Sequence, residues 1–103
     1  MDVVFRTGSG LRRLPTEIAE HLANNLRAFP FEEGSRAAAD KVELFLVGET
    51  VDAIKLETNE RGAVCKGLDN LMSVPQPPAV RDLFKALTQD ARWDLRSRRI
   101  APP

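Results

Sequence analysis

Hydrophobic positions at the start of the chain are arranged as in a β-hairpin. Val3, Val4 and Phe5 form a short β-branched and aromatic run, and these residue types are enriched in strands. The segment 7–10, Thr-Gly-Ser-Gly, supplies turn residues, and the segment 11–14 has a leucine at each end. The pattern therefore predicts an antiparallel hairpin.

The spacing of apolar residues changes from strand-like to helical after the hairpin. Pro15 restricts the preceding leucine to an extended conformation and is itself tolerated in the first turn of a helix. Apolar residues then recur every three or four positions, at Ile18, Leu22, Leu26 and Phe29. This period predicts an amphipathic first helix that starts at Pro15 and that Pro30 ends.

The segment from Ser35 to Gly48 predicts a second helix. We expect Ser35 to be its N-cap and Gly48 to be its terminating residue. The buried stripe of this helix would consist of Ala38, Val42, Phe45 and Leu46. Because short apolar runs are ambiguous, residues 42–47 also fit a strand, but the preceding alanines and the stripe favour the helix.

Extended and helical patterns follow each other again in the second half of the chain. Apolar and charged residues alternate over 53–57, which predicts a half-buried strand. Thr58 is the expected cap of a third helix, whose stripe contains Val64, Leu68 and Leu71. Gly62 and Gly67 weaken this helix by up to about 1 kcal/mol each relative to alanine.

The last helical pattern follows a proline-rich connector at 74–78. One face of this fourth helix carries Val80, Phe84, Leu87 and Ala91, with Leu83 beside them. From residue 96 onward the chain has no apolar period. We therefore expect a single α+β domain over 1–95 and a flexible basic C-terminal tail over 96–103.

Together these elements predict an α+β fold in which a small sheet packs against about four helices. The N-terminal hairpin and the strand near 53–57 would supply two or three strands, whose order stays open. A shift of 42 residues aligns the two halves with five identities. This is either a weak internal strand–helix–helix repeat or the general similarity of amphipathic helices of equal length. At 103 residues, the chain supports one core without disulfides or a structural metal.

The ionisable residues offer little for catalysis. The chain has one histidine, His21, one cysteine, Cys65, and no tyrosine. Zinc requires several strong ligands, and no second histidine or cysteine is present to complete a site. We predict that His21 is a surface residue bonded to Glu17. Cys65 follows the stripe residue Val64, so we predict a structural cysteine rather than a nucleophile.

Acidic and glycine-rich segments also favour structural interpretations over chemical ones. Glu17, Glu20 and the pair at 32–33 occupy a predicted first helical turn and a predicted loop, which are typical places for solvated charge. The segment 7–10 lacks the following helix and the lysine that a phosphate-binding loop requires. The sequence therefore predicts no enzymatic activity, no cofactor and no metal.

Charge is distributed unevenly although the formal net charge is zero. Residues 1–14 carry +2, residues 15–71 carry −5 and residues 91–103 carry +3. Such asymmetry steers a charged partner, and it equally allows the basic ends to pair with the acidic middle of the same molecule.

The segment 91–100 is the predicted contact surface. Its candidate binding residues are Arg92, Trp93, Arg96, Arg98 and Arg99. Arginine and tryptophan are enriched in protein–protein hot spots, and both also bind nucleic acids, through phosphates and base stacking. Two arrangements of Trp93 are open. It is a lid on the core if the fourth helix ends early, and an exposed contact residue if the helix continues.

We predict a small non-enzymatic module that binds another protein or a second copy of itself through 92–100, aided by Arg6, Arg12 and Arg13. The alternative is an accessory or regulatory nucleic-acid-binding protein that uses the same arginines. Zero net charge argues against this alternative, because dedicated nucleic-acid binders have a strongly basic domain. We recognise neither a signal peptide nor a spanning apolar segment, and we expect a soluble cytoplasmic protein without membrane contact.

Overall fold

The computed structural model describes residues 2–29, 33–48 and 52–100; for residues 91–100 it describes the backbone and not the side chains. The element order is β1 (Asp2–Thr7), β2 (Gly10–Pro15), α1 (Thr16–Ala28), α2 (Ser35–Leu46), β3 (Ile54–Lys55), α3 (Thr58–Leu71) and α4 (Pro78–Ile100). These elements confirm the predicted α+β class, with four helices and a small sheet, but the internal repeat is not confirmed.

The three strands form a mixed sheet in the order β2-β1-β3. β1 pairs antiparallel with β2, with Val3 opposite Leu14, and this pairing confirms the hairpin. β1 pairs in parallel with β3, with Phe5 opposite Ile54. Directly opposed residues share a face of the sheet. Since all four of these side chains are buried in the core, this is the face that packs on the helices.

Helices α1, α2 and α4 contact the sheet, and α3 packs against the other three helices. The core joins the inner face of the sheet to the predicted helix stripes. Its largest fully buried side chains include Phe5, Leu14, Leu22, Leu26, Ile54, Leu68, Leu83 and Leu87. The buried faces contain most of the predicted stripe residues. Phe29, expected in the stripe of α1, is instead 53% exposed and follows the end of that helix, and the side chain of Ala91 lies outside the described residues.

The starts of α1 and α2 each lie one position away from the prediction. Pro15 is the N-cap of α1 rather than its first residue. Gly34 is the N-cap of α2, and Ser35 is its first helical residue. The Ser35 hydroxyl is buried and donates to the Leu26 carbonyl oxygen at 2.6 Å. The prediction that Ser35 is the N-cap is therefore wrong, because its side chain joins α2 to the preceding helix. Gly48, at φ +82°, is the expected terminating residue.

The start of α3 differs from the prediction in the same way. Glu57 is its N-cap, and Thr58 is the first helical residue. The Glu60 carboxylate reaches back and accepts a hydrogen bond from the Glu57 N–H at 2.6 Å, as in a capping box. The expected strand at 53–57 is paired only at Ile54–Lys55.

Gly67 lies where α3 crosses α1. A Cβ at this position would lie 2.9 Å from Leu22 Cδ1 and 3.3 Å from Leu26 Cδ2. Because those contacts are closer than ordinary van der Waals packing allows, glycine permits the two helices to approach. The propensity cost of Gly67 is therefore offset by close helix packing.

Helix α4 extends to Ile100, beyond the expected start of the tail. The backbone of 96–100 is helical, and residues 101–103 lie outside the described residues. The division into a domain over 1–95 and a flexible tail over 96–103 stays a prediction.

Candidate functional site

The five predicted binding residues lie in the last ten positions of α4. Their backbone is helical, whereas the side chains of Arg92, Trp93, Arg96, Arg98 and Arg99 lie outside the described residues. An early end of the helix was the condition for a Trp93 lid, and that condition is not met. The contacts of these five side chains stay a prediction.

Asp90 connects α4 to the β1–β2 turn immediately before this segment. The Gly8 N–H donates to both Asp90 carboxylate oxygens, each at 3.0 Å from the nitrogen. Arg61 of α3 approaches Asp90 Oδ2 at 3.9 Å, and the Asp90 side chain is 12% exposed. A Cβ on Gly8 would overlap this carboxylate. A side chain at position 8 would therefore displace the Asp90 carboxylate from the turn.

This contact joins two segments that lie far apart in the chain. Gly8 and Asp90 are 82 residues apart in sequence. Arg6 and Leu11 form the second cross-strand pair from the turn, after Thr7 and Gly10, and Arg92 follows Asp90 by two positions. Sequence analysis did not predict the contact, because a glycine in a turn and a single aspartate on a helix carry no signal of each other.

The second face of the sheet, opposite to the face packed on the helices, is here called the outer sheet face. It consists of Asp2, Val4, Arg6, Leu11, Arg13, Pro15 and Lys55. Val4 is 9% exposed and Leu11 is 53% exposed, and neither belongs to the core cluster. Sequence analysis named the arginines of this face but missed Lys55 and Leu11, because strand order decides which side chains meet here.

Three cations of the outer sheet face, Arg6, Arg13 and Lys55, are exposed. Within the part of the chain that the structure describes, no ion pair or side-chain hydrogen bond engages them. Arg12 differs from them, since its guanidinium donates to the Leu11 carbonyl and to the Ser9 hydroxyl, both at 3.0 Å. Arg12, predicted to aid binding, is thus partly engaged within its own hairpin.

Cations of the acidic middle pair with carboxylates of the same region. Arg27 Nη2 lies 2.6 Å from Asp40 Oδ1 and 2.6 Å from Glu43 Oε2. Hydrogen bonding to the Arg27 guanidinium lowers the pKa of Glu43. Because all three side chains are at least 40% exposed, solvent screens this cluster and its contribution to stability is small.

Glu60 is a buried carboxylate that sequence analysis did not anticipate. Its side chain is 5% exposed, and Lys41 Nζ lies 2.6 Å from Oε1. The same ammonium donates to the Lys55 carbonyl at 2.7 Å. Glu60 therefore caps α3 and connects it to α2 through Lys41, which also binds β3.

Cys65 and His21 are the single cysteine and the single histidine of the chain. Burial raises the pKa of the half-buried Cys65 thiol, and a hydrogen bond with Thr88 and the nearby Arg61 charge only partly oppose that effect. This agrees with a structural cysteine. His21 is exposed as predicted, but no hydrogen bond or ion pair with Glu17 occurs among the described side chains, so the predicted pairing is wrong.

An open depression of about 400 Å³ follows the connector between α3 and α4. Its lining is rich in proline and includes Met72 and Val74, with exposed Arg81 and Asp82 among its residues. Among the residues that the structure describes, no group of three or more histidine, cysteine, aspartate or glutamate side chains could hold a metal ion. We therefore look for a binding site on α4 after the turn contact and on the outer sheet face rather than in this depression.

Comparison with known proteins assigns the chain to no family. The chain matches no protein-family model, no curated protein and no solved structure. In the described part of the chain, no helix is both long enough and apolar enough to cross a bilayer. The function has to be inferred from the surfaces themselves.

Proposed function

We propose that this protein is a non-enzymatic binding module that contacts another protein, or a second copy of itself, through residues 92–100 of α4. One observation carries the proposal: the hydrogen bonds between Gly8 and Asp90. They hold α4 against the hairpin turn where the basic segment begins. The segment therefore starts two residues after a fixed point on the hairpin turn.

The length of α4 supports this proposal. Ten residues of helix follow Asp90, which corresponds to about 15 Å at the normal helical rise. A partner protein would meet arginine and tryptophan residues on one helical segment, and these residue types dominate binding energies at protein interfaces.

A protein partner is favoured over a nucleic acid by the character of the adjacent sheet. Single-stranded nucleic acids bind to surfaces where aromatic rings stack on bases. The outer sheet face carries Val4 and Leu11 at its apolar positions, and neither side chain offers a ring. Zero net charge also argues against a dedicated nucleic-acid binder.

The basic segment requires an acidic surface on its partner. A second copy of the chain has exposed carboxylates on α1, at Glu17 and Glu20, and on α3, at Asp69. Among the described side chains, no ion pair engages these three residues. A head-to-tail dimer would place the segment 92–100 of one copy against such a surface.

Removal of residues 92–103 tests the proposal. We expect sedimentation velocity to show weaker self-association for the truncated chain than for the full chain across a concentration series. For a different protein partner, affinity capture from the native cell with both chains should retain that partner only on the full chain. A full-length variant with the four arginines at 92–99 replaced by glutamine shows whether binding depends on their charge or on the length of α4.

Two outcomes would count against a protein-binding role. The first is a monomer at every concentration together with the same captured proteins for both chains. The second is binding of DNA or RNA at low salt that weakens steeply as salt is added, because counterion release would then indicate phosphate contacts.

A further inference from the structure

We propose that the outer sheet face is a second docking surface, which binds an acidic segment of a partner protein and places an apolar side chain of that segment against Leu11. This goes beyond the role of residues 92–100, because none of the residues of this face belongs to that segment. The two surfaces are tested separately.

The proposal begins from a contrast in how the cations of this protein are used. Arg27, Lys41 and Arg61 lie between helices and pair with carboxylates of the same chain. The cations of the outer sheet face are exposed, and no described carboxylate pairs with them. Their charge is therefore available to a partner.

The strand register places these cations around one exposed apolar residue. Arg6 lies opposite Leu11 on β2 and opposite Lys55 on β3. Arg13 lies opposite Val4. Leu11, at 53% exposure, is thus an exposed apolar side chain with cationic neighbours. This arrangement fits an apolar anchor surrounded by polar contacts, as found in protein interfaces.

Charge complementarity identifies the occupant. The face carries three cations, and Asp2, opposite Pro15, is its only acid among the described positions. An acidic segment gains attraction to each cation, and the attraction also steers its approach. Two copies docked through this same face would oppose like charges, which disfavours a symmetric dimer here.

A synthetic peptide of alternating glutamate and leucine residues is a suitable probe, measured by fluorescence anisotropy against the full chain at low salt. The double variant Arg6→Glu/Arg13→Glu should bind it about tenfold more weakly. The control Arg36→Glu/Lys85→Glu changes the net charge equally at exposed positions of α2 and α4, and it should retain the full affinity.

Leu11→Ser provides a second test that leaves the charge unchanged. It should weaken peptide binding by about threefold, because it removes the apolar contact and no cation. Circular dichroism and a thermal melt check that each variant is folded. If the double variant does not fold, peptide binding by Leu11→Ser and by the single variant Arg13→Gln tests the proposal instead.

The assay is repeated with the chain that lacks residues 92–103, so that the two proposals can fail separately. Docking on the outer sheet face predicts that this chain still binds the peptide and still loses affinity on Arg6→Glu/Arg13→Glu. The proposal is overturned if the sheet variants bind like the control, or if the peptide does not bind. It is also overturned if only a polythymidine oligonucleotide or vesicles with anionic lipids bind.

Discussion

The environment of Cys65 decides what the chain's one thiol can do. The side chain is half-buried on α3 between the core and the cluster of Arg61, Thr88 and Asp90. Burial outweighs the nearby guanidinium, so the pKa of the thiol is raised and the thiolate is a small fraction at neutral pH. A residue placed in this way packs well and reacts slowly.

We therefore expect iodoacetamide to alkylate Cys65 at neutral pH at least about tenfold more slowly than it alkylates glutathione. The reaction should accelerate in urea, because unfolding restores both exposure and the ordinary thiol pKa. Mass spectrometry over a time course measures both rates. Alkylation of the folded protein as fast as that of glutathione would show an accessible, activated thiol instead.

A single side chain also explains why α2 begins one residue away from the predicted cap. Sequence signals place a hydroxyl residue at the cap of α2, and Ser35 is such a residue. Its hydroxyl instead donates to the Leu26 carbonyl, and that partner lies in the previous helix. The preference of serine for the cap is a local property. Here a tertiary hydrogen bond engages the serine hydroxyl, and the cap lies one position earlier, at Gly34.

At the scale of elements, the hairpin and α4 are held together by one contact between a turn and a helix. Asp90 receives the Gly8 N–H at both carboxylate oxygens, and hydrogen bonds to charged groups are stronger than neutral ones. This contact positions the start of the basic segment relative to the sheet. Its loss should loosen the hairpin without removing any core side chain.

Gly8→Ala and Asp90→Ala should each lower the free energy of unfolding by about 1 kcal/mol. The double variant should lose little more than either single variant, because both remove the same contact. Urea unfolding of the four proteins measures this cycle, and Asp82→Ala, an exposed acid on the same helix, is the control. Fully additive losses would show that the two residues act independently.

At the scale of the whole molecule, the described side chains of α4 extend from Pro78 to Asp90. Among them, Leu87 is the last buried hydrophobic residue, and Asp90 contacts the β1–β2 turn. The first half packs on the sheet, and the proposed contact surface occupies the second half.

A chain that ends after Leu95 should unfold with a free energy within about 0.5 kcal/mol of the full chain, since it keeps every described buried side chain and Asp90. A chain that ends after Gln89 should be less stable, because Gly8 then has no carboxylate to bind. Urea unfolding monitored by circular dichroism compares the three chains. A large loss on removal of 96–103 would contradict the division at residue 95.

Local patterns were enough to predict the hairpin, the four helices and most residues of their buried stripes. A strand or an amphipathic helix is specified by side chains a few positions apart, and those periods are visible in the sequence. The sequence likewise identified 92–100 as a basic segment with a tryptophan, but it did not reveal where the segment lies on the molecule.

The chain by itself determined which faces are apolar and where each element lies, because neighbouring residues carry that information. Only the tertiary structure decided that β3 pairs in parallel with β1, that Lys41 meets the buried Glu60, and that Gly8 meets Asp90. The partners in these contacts are separated by many residues, and no single residue indicates its partner. Packing of the complete core brings them together, and it thereby places on the outer sheet face three exposed cations that no described carboxylate pairs with.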